Sequence, residues 1–254
     1  MNTLPCHGKI NCRKCFQSDV TFDVTLESSE GWRIKNNPLA WGNEEPEIVV
    51  LGFSKGPTQS GALNSVPHNE IAYKGGRTNI GKIFKHIGLI DNNFKAGLAE
   101  HVSSLIEDKN GRFHFGSLIR CTVERFDVKT DLWKGSGGGM LDKFVKTGFG
   151  QKVVNTCTDT HLSNLPSKTK LIVMFGLGTK LNYVDECFKL YNKAITGKWG
   201  WLNEVSYSNG DITVVHVEHF QSQGALIPNW LGINNHHRSV YGEMAKNSVL
   251  KAFQ

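Results

Sequence analysis

Four of the six cysteines in this 254-residue chain have positions that could serve one metal centre. Cys12 and Cys15 form a C-x2-C pair, a spacing that lets two thiolates reach the same metal ion or cluster iron. Cys121 ends a predicted strand and Cys157 lies in a predicted helix, so both could complete a four-thiolate set. Each could equally be a small buried apolar residue, and cysteine spacing alone leaves zinc, iron–sulfur and redox roles open.

Two further groups of chemically useful residues follow predicted strands. GFSKG at 52–56 is a glycine-containing turn whose backbone could approach an anion closely. The turn is neither a Walker A motif nor a G-x-G-x-x-G fingerprint, so by itself it defines no nucleotide site. His219 follows a predicted strand and could act as an electrophile or acid, whereas His216 lies within that strand and is expected in the core.

Composition limits the class of protein. Hydrophobic residues make up 39% and charged residues 20% of the chain, which excludes disordered, collagen-like and coiled-coil proteins. No apolar run approaches the ~20 residues needed to cross a bilayer, and the N-terminus lacks the apolar region of an export signal. These features predict a soluble cytoplasmic protein with no membrane partner. The net charge of +6 permits a polyanionic partner but is also typical of a solvated surface.

Predicted strands and helices alternate along the chain. Buried strands are predicted at 48–53, 113–119, 170–176 and 212–217, and helices around 80–87 and at 151–165, 179–193 and 238–253. We expect a long polar loop at 54–78 and a flexible insertion at 122–150, which contains GSGGG. The alternation predicts βαβ units and a mostly parallel sheet, whose ligands bind at the carboxyl ends of the strands. Loops after Gly52, Ile119 and Val217 should therefore form the site.

In their order along the chain, these motifs resemble the uracil-DNA glycosylase superfamily, and within it the iron–sulfur, family 4-like branch. EIVVLGFSKG (47–56) stands where that family has a strand and its first motif, G-E-x-P-G. AYKGGRTNIGKIFKHIGL (72–89) is similar to the family's F-V-G-R-A-G-x-L-L segment. GSLIRC (116–121) resembles the second motif, N-x-x-K-C, and HVEHFQSQGAL (216–226) the last, H-P-S-x-x-L. The resemblance extends over nearly the whole chain.

The resemblance implies an architecture and a cofactor. The fold would be one three-layer α/β/α domain over 1–254 with a central, mostly parallel four-stranded sheet. Within it, 1–35 would be a cluster-binding segment and 122–150 an insertion. The implied cofactor is one [4Fe–4S] cluster, with zinc as the alternative, held by Cys12, Cys15, Cys121 and Cys157. Cys6 and Cys187 fall outside this set, with Cys187 expected to be buried on its helix. DNA is the implied partner of a monomer.

The resemblance also implies a reaction, the hydrolysis of the N-glycosidic bond of a flipped-out base. His219 matches the histidine of the last motif and would donate a hydrogen bond to the departing base, and Tyr73 stands at the stacking position. Ser54 takes the catalytic position that holds a water-activating Asp or Asn in related branches. Further substrate contacts would come from Gly52, Phe53, Lys55, Gly56, Ser117 and Leu226, the last as a wedge in the duplex. The residues expected to face DNA are Arg77, Lys82, Gln221 and Ser222.

The chain departs from the family pattern in the base pocket. Phe53 and Lys55 replace the Glu and Pro of the first motif, and a serine at 54 needs another group to activate it. Ser117 replaces the Asn that recognises the uracil edge. The substrate could be uracil or another deaminated base. It could also be a bulkier modified pyrimidine, such as a substituted cytosine of foreign DNA, for which Ser117 and the polar loop 57–71 would make room. The alternative function is that of a non-catalytic iron–sulfur protein that binds nucleic acid.

Overall fold

Two β-sheets with flanking helices make up the computed structural model, which describes residues 3–17, 19–91, 96–135 and 140–254. The strands are β1 (Gly8–Lys9), β2 (Leu26–Ser29), β3 (Trp32–Lys35), β4 (Leu39–Gly42), β5 (Ile48–Gly52), β6 (Phe113–Ser117), β7 (Thr122–Asp127), β8 (Leu132–Gly135), β9 (Leu171–Phe175), β10 (Gly200–Asn203), β11 (Ser206–Ser208) and β12 (Thr213–Val217). The helices are α1 (Pro57–Gly61), α2 (His68–Ile71), α3 (Arg77–His86), α4 (Leu98–Glu107), α5 (Leu141–Phe144), α6 (Gly148–His161), α7 (Asn182–Ala194), α8 (Leu226–Trp230) and α9 (Ser239–Ala252).

The larger sheet has eight strands in the order β1-β4-β6-β5-β9-β12-β11-β10. β6, β5, β9 and β12 run parallel to one another, with Ile48 in register with both Phe113 and Leu171. The outer pairs are all antiparallel. The predicted fold with a central four-stranded, mostly parallel sheet is therefore wrong. The sheet is mixed, its antiparallel pairs outnumber the parallel ones, and a second sheet accompanies it.

The four predicted buried strands are all present; β5 and β9 are continuous apolar runs, whereas β6 and β12 each contain a histidine. β5 and β9 are buried at every position, as expected for strands that are covered on both faces. β12 is also buried throughout, including His216, whose predicted core position is confirmed. The edge strands are only two to four residues long, so their sequences carry no comparable local signal.

A four-stranded antiparallel sheet, in the order β2-β3-β7-β8, joins the N-terminal segment to the predicted insertion. In β3, Trp32 and Ile34 are buried and the residues between and after them are partly exposed, the alternation of a sheet packed on one face. The prediction of an irregular segment over 122–150 is therefore wrong. β7, β8, α5 and the start of α6 occupy it, and residues 136–139 of the GSGGG run lie outside the described residues.

The helical predictions are largely confirmed. Ile80, Ile83 and Phe84 of α3 are fully buried, and the Phe84 ring stacks on Phe113 of β6 at 5.8 Å between centroids. The predicted polar loop at 54–78 is wrong in part, because α1, α2 and the first residues of α3 lie in it. None of the helices within the described ranges is both long and apolar enough to span a bilayer.

Candidate functional site

A cavity of about 100 Å³ lies at the carboxyl ends of β5 and β6, beside the turn that follows β12. Gly52 and Ser117, the last residues of the two strands, are partners in register, which brings the first two predicted motifs together. The predicted site residues that line the cavity are Gly52, Phe53, Ser54, Gly56, Tyr73, Ser117, His219 and Gln221. Eight of the predicted residues therefore meet at one place, although they come from widely separated parts of the sequence.

The imidazole of His219 has a defined hydrogen-bonding arrangement. The backbone N–H of Gln221 donates to His219 Nδ1 at 3.2 Å, so the proton of the neutral ring lies on Nε2. Burial lowers the pKa of the His219 imidazole from its ordinary value of 6.5, and the neighbouring Glu218 carboxylate opposes this effect. The ring also stacks on Phe220, with 4.5 Å between centroids. At neutral pH His219 is therefore an uncharged donor in the wall of the cavity.

The Glu218 carboxylate holds the turn that carries His219. It is buried and accepts hydrogen bonds from the His219 backbone N–H, from Ser222 Oγ at 2.7 Å and from Arg238 Nε at 2.6 Å. Ser222, expected to face DNA, thus uses its hydroxyl inside the turn. Glu218 and Arg238 were missed by the sequence reasoning, because their ion pair joins residues 20 apart on different elements and no local pattern marks it.

Aromatic rings form the apolar wall of the cavity. Tyr73 is buried, and its ring packs edge-to-face against Phe175 and Phe220 at 5.5 and 5.2 Å between centroids. Its hydroxyl lies 3.2 Å from the Val50 carbonyl oxygen and 3.1 Å from that of Gly116. Burial raises the pKa of the Tyr73 phenol, which therefore remains a protonated donor to these carbonyls. Tyr73 can offer a ligand its ring but not its hydroxyl.

Replacing Gly76 with alanine should destabilise the protein by displacing this wall. A Cβ at Gly76 would lie 2.1 Å from Cδ2 of Phe220, so the Phe220 ring and the His219 ring stacked on it must move. We expect a loss of ~1–3 kcal/mol in the free energy of unfolding, measured in urea, as for other overpacked cores. Gly61→Ala is the matched control, because a Cβ there meets open space. Equal stability of the Gly76→Ala variant and the unmodified protein would contradict the packing described here.

The two serines of the cavity differ in their surroundings. Ser54 Oγ is shielded from solvent and has no hydrogen-bond partner among the described residues, so no base there activates it. Ser117 is partly exposed at the end of β6 and presents a single hydroxyl. None of the described residues that line the cavity is acidic, which agrees with the replacement of the family's carboxylate in the first motif.

Lys55 does not lie in the cavity wall. Its side chain is buried, and Nζ donates to the backbone carbonyl of Arg120, 65 residues away. Burial lowers the pKa of the Lys55 ammonium to about 8, and Cys121 and Cys157 oppose this effect. The expectation that Lys55 positions water or phosphate at the substrate is therefore wrong. In the 52–56 turn, Ser54 therefore faces the cavity, whereas Lys55 lies near Cys121 and Cys157.

Arg77 uses its guanidinium inside the protein. Nε donates to the Ala72 carbonyl at 3.1 Å, Nη1 to Ser103 Oγ at 2.7 Å, and Nη2 to the Asn69 carbonyl. The expectation that Arg77 contacts phosphate is wrong, since these bonds occupy the guanidinium in closing the 69–77 segment. An arginine in a loop looks the same in the sequence whether it contacts phosphate or bonds to the protein's own backbone, so only its contacts in the structure distinguish the two roles.

The other residues expected to face DNA keep exposed side chains. Lys82 is exposed on α3, and Gln221 is exposed at the edge of the cavity. Leu226, the predicted wedge, begins α8 and is 38% exposed. These three side chains are accessible to a nucleic acid.

The four predicted ligand cysteines are neighbours in the structure. Cys121 and Cys157 are buried, and Cys12 and Cys15 are partly buried. The pKa of the Cys15 thiol is raised to about 12, mainly by burial and further by the charges of Cys121 and Cys12. The pKa of the Cys157 thiol is likewise raised by burial and then by the other three cysteines. These mutual effects place the thiols near one another, but the described residues contain no group of three or more ligand side chains arranged to hold a metal ion.

The remaining two cysteines lie elsewhere. Cys6 is exposed, and its Sγ donates to a Glu44 carboxylate oxygen at 2.8 Å. Cys187 is fully buried on α7, as predicted. The charge of neither residue affects the pKa of Cys15, Cys121 or Cys157.

Two buried cations beside the four thiols test whether a metal centre fits there. Arg120 is fully buried, lies against the Gly116 backbone, and has no hydrogen-bond partner for its guanidinium nitrogens among the described residues. Within those residues, neither Arg120 nor Lys55 forms an ion pair with a carboxylate. An unpaired buried cation costs several kcal/mol. A metal centre bound by four thiolates would carry the negative charge that these cations lack, so the buried charges beside the thiols suit such a group.

The sequence reasoning missed part of the cavity wall. α1 and the end of β8 contribute to it, and a Cβ at Gly135 would lie 2.6 Å from the Pro57 ring. The missed lining residues are Pro57, Thr58, Gln59, Gly135 and Phe220. A helix of five residues shows no periodic pattern, and the proline in its first turn is the one local signal that could have indicated it.

No family model and no curated protein sequence matches this chain. The site is therefore characterised by its geometry. It is a small cavity with aromatic walls at the ends of parallel strands, with an uncharged imidazole donor and, nearby through Lys55, a group of four thiols and two buried cations.

Proposed function

We propose that this protein is a DNA glycosylase of the uracil-DNA glycosylase type, which removes a flipped-out pyrimidine and leaves an abasic site. The observation that carries the proposal is the meeting of His219, Tyr73 and the 52–56 turn in one cavity. Its volume of about 100 Å³ is of the order of the ~150 Å³ cavity that binds one benzene ring. A single pyrimidine ring matches that size, and Phe53, Tyr73 and Phe220 offer it an apolar wall.

In the proposed reaction, water adds to C1′ of the deoxyribose as the bond between C1′ and N1 of the base breaks. The bonding electron pair leaves with the base, and the proton released by the water ends in solution or on the base. His219 Nε2–H donates to the base oxygen O2, where negative charge develops. A fixed donor aimed at developing charge is usually the largest single contribution to catalysis. None of the described cavity residues is a lysine, so we propose no imine chemistry.

The four cysteines would hold one [4Fe–4S] cluster, or zinc as the alternative, with Lys55 and Arg120 balancing its negative charge. When bound, such a group supplies a covalent link between the N-terminal segment, the chain after β6 and helix α6. Its role in this proposal is structural. Lys55 belongs to the 52–56 turn and Arg120 follows β6, so both cations are on segments that also contribute residues to the cavity.

DNA is the proposed partner. The net charge of +6 suits a polyanion, and Lys82, Gln221 and Leu226 are accessible to one. We further propose that the protein acts as a monomer in the cytoplasm, because a single chain supplies every group that the reaction uses. The alternative, an iron–sulfur protein that binds nucleic acid without catalysis, is favoured by one observation, the lack of an acidic residue in the described cavity wall.

Base release from defined duplexes tests the proposal. Duplexes carrying one uracil or one 5-hydroxymethylcytosine are incubated with excess protein, and abasic sites are detected as alkali-labile strand breaks. We expect breaks at the position of one of these two bases and none in unmodified duplex. DNA binding that weakens steeply with salt, with no breaks at either base, would instead support the non-catalytic alternative.

A further inference from the structure

We infer that Gln59 is the residue that recognises the hydrogen-bonding edge of the base, an inference that rests on the proposed glycosylase function. Gln59 lies in the middle of α1 and lines the cavity, and only 9% of its surface is exposed. Its amide forms no hydrogen bond within the described chain, yet its atoms are not sealed from solvent like Ser54 Oγ. The accessible part of this buried side chain is therefore an unpaired amide at the cavity.

The Gln59 amide supplies the paired donor and acceptor that the single hydroxyl of Ser117 lacks. The edge of a pyrimidine presents a donor and an acceptor side by side, and one hydroxyl cannot pair with both. An amide has an oxygen acceptor and a nitrogen donor with the same spacing. Rotation of the amide by 180° exchanges the two, so Gln59 can pair with N3–H and O4 of uracil or with N3 and the amino group of cytosine. Because the Gln59 amide has no partner in the described part of the chain, it is free to pair with a ligand in the cavity.

The position of α1 also limits the size of the base. The polar loop 57–71, expected to make room for a bulkier substrate, instead folds into α1 and α2, and its first residues form the cavity wall. With about 100 Å³ available, the cavity accepts a pyrimidine with no substituent or a small one. A sugar-bearing cytosine does not fit without movement of α1. The substrate class is thus a small pyrimidine recognised at its amide-like edge.

The test compares single-turnover base release by Gln59→Ala, Gln59→Glu and the unmodified protein, on the uracil and 5-hydroxymethylcytosine duplexes. We expect Gln59→Ala to slow release of the preferred base by ~10–100-fold, because two hydrogen bonds to the base edge are lost. Gln59→Glu keeps the shape but has no donor, so it should also be slow even if the alanine variant folds poorly. Ser60→Ala, on the same helix but outside the cavity lining, is the matched control and should keep the full rate.

A second measurement separates recognition of the base from binding of DNA. All variants should bind a duplex with a tetrahydrofuran abasic-site analogue as tightly as the unmodified protein, since that duplex offers no base edge. Full rates of base release by both Gln59 variants would overturn the inference and leave the glycosylase proposal standing. If the unmodified protein released neither base, the proposed function itself would fail, and the inference with it.

Discussion

His219→Ala is expected to slow base release by ~10²–10³-fold under single-turnover conditions, the usual effect of removing one donor to a developing oxyanion. The structure gives the physical reason. The Gln221 N–H occupies Nδ1 and leaves the ring proton on Nε2, while the Glu218 carboxylate holds the turn in place. The hydrogen bond from Nε2 strengthens only as the base acquires charge, so the loss should appear in the chemical step. Binding of the abasic-site duplex should be unchanged.

His237→Ala is the control for this variant, because His237 is exposed and lies outside the cavity. The pH profile of the unmodified protein gives a second readout. Burial lowers the pKa of His219, so its neutral form persists at neutral pH and is lost only at a pH lower than that at which an ordinary histidine becomes charged. Protonation places a hydrogen on Nδ1 opposite the Gln221 N–H, so release should be constant above that pH and decline below it. If the His219→Ala variant released the base at the full rate, His219 would not be the catalytic donor.

Cys157→Ala is expected to abolish binding of the proposed metal centre and to destabilise the protein by ~3–5 kcal/mol, the usual cost of leaving a buried charge without its partner. Cys157 is buried on α6, and its charge affects Arg120, whose guanidinium is otherwise unpaired in the described chain. Protein purified without oxygen should be brown and contain iron and sulfide, and the Cys157→Ala variant should be colourless. Metal content and unfolding in urea measure the two effects.

Cys6→Ser is the matched control, since Cys6 is exposed and its Sγ donates to the Glu44 carboxylate. It should keep the metal and the stability of the unmodified protein. The unmodified protein could instead be colourless and contain one zinc ion per chain that the Cys157→Ala variant lacks. That result would show that the four cysteines bind zinc rather than an iron–sulfur cluster. Retention of the full metal content by Cys157→Ala would show that the four cysteines are not its ligands.

Local apolar patterns in the sequence were sufficient to predict the centre of the protein. The runs at β5, β6, β9 and β12 form strands because continuous burial on both faces of a sheet requires such runs. The apolar stripe of α3 fixed its buried face in the same way. Because parallel strands end at one edge of a sheet, the order of these elements also brought His219 and the 52–56 turn together.

Contacts between distant residues decided the rest. The second sheet exists because two distant hairpins pair through β3 and β7, as Trp32 does with Arg125, and β4 likewise joins the larger sheet by pairing with the distant β6. The direction of Lys55 was set by the Arg120 carbonyl, and the cavity wall at α1 by its approach to Gly135. A sequence pattern reports which residues are buried, because burial follows local periodicity. It does not report the partners of a buried polar group, because those depend on which surfaces meet in the folded chain.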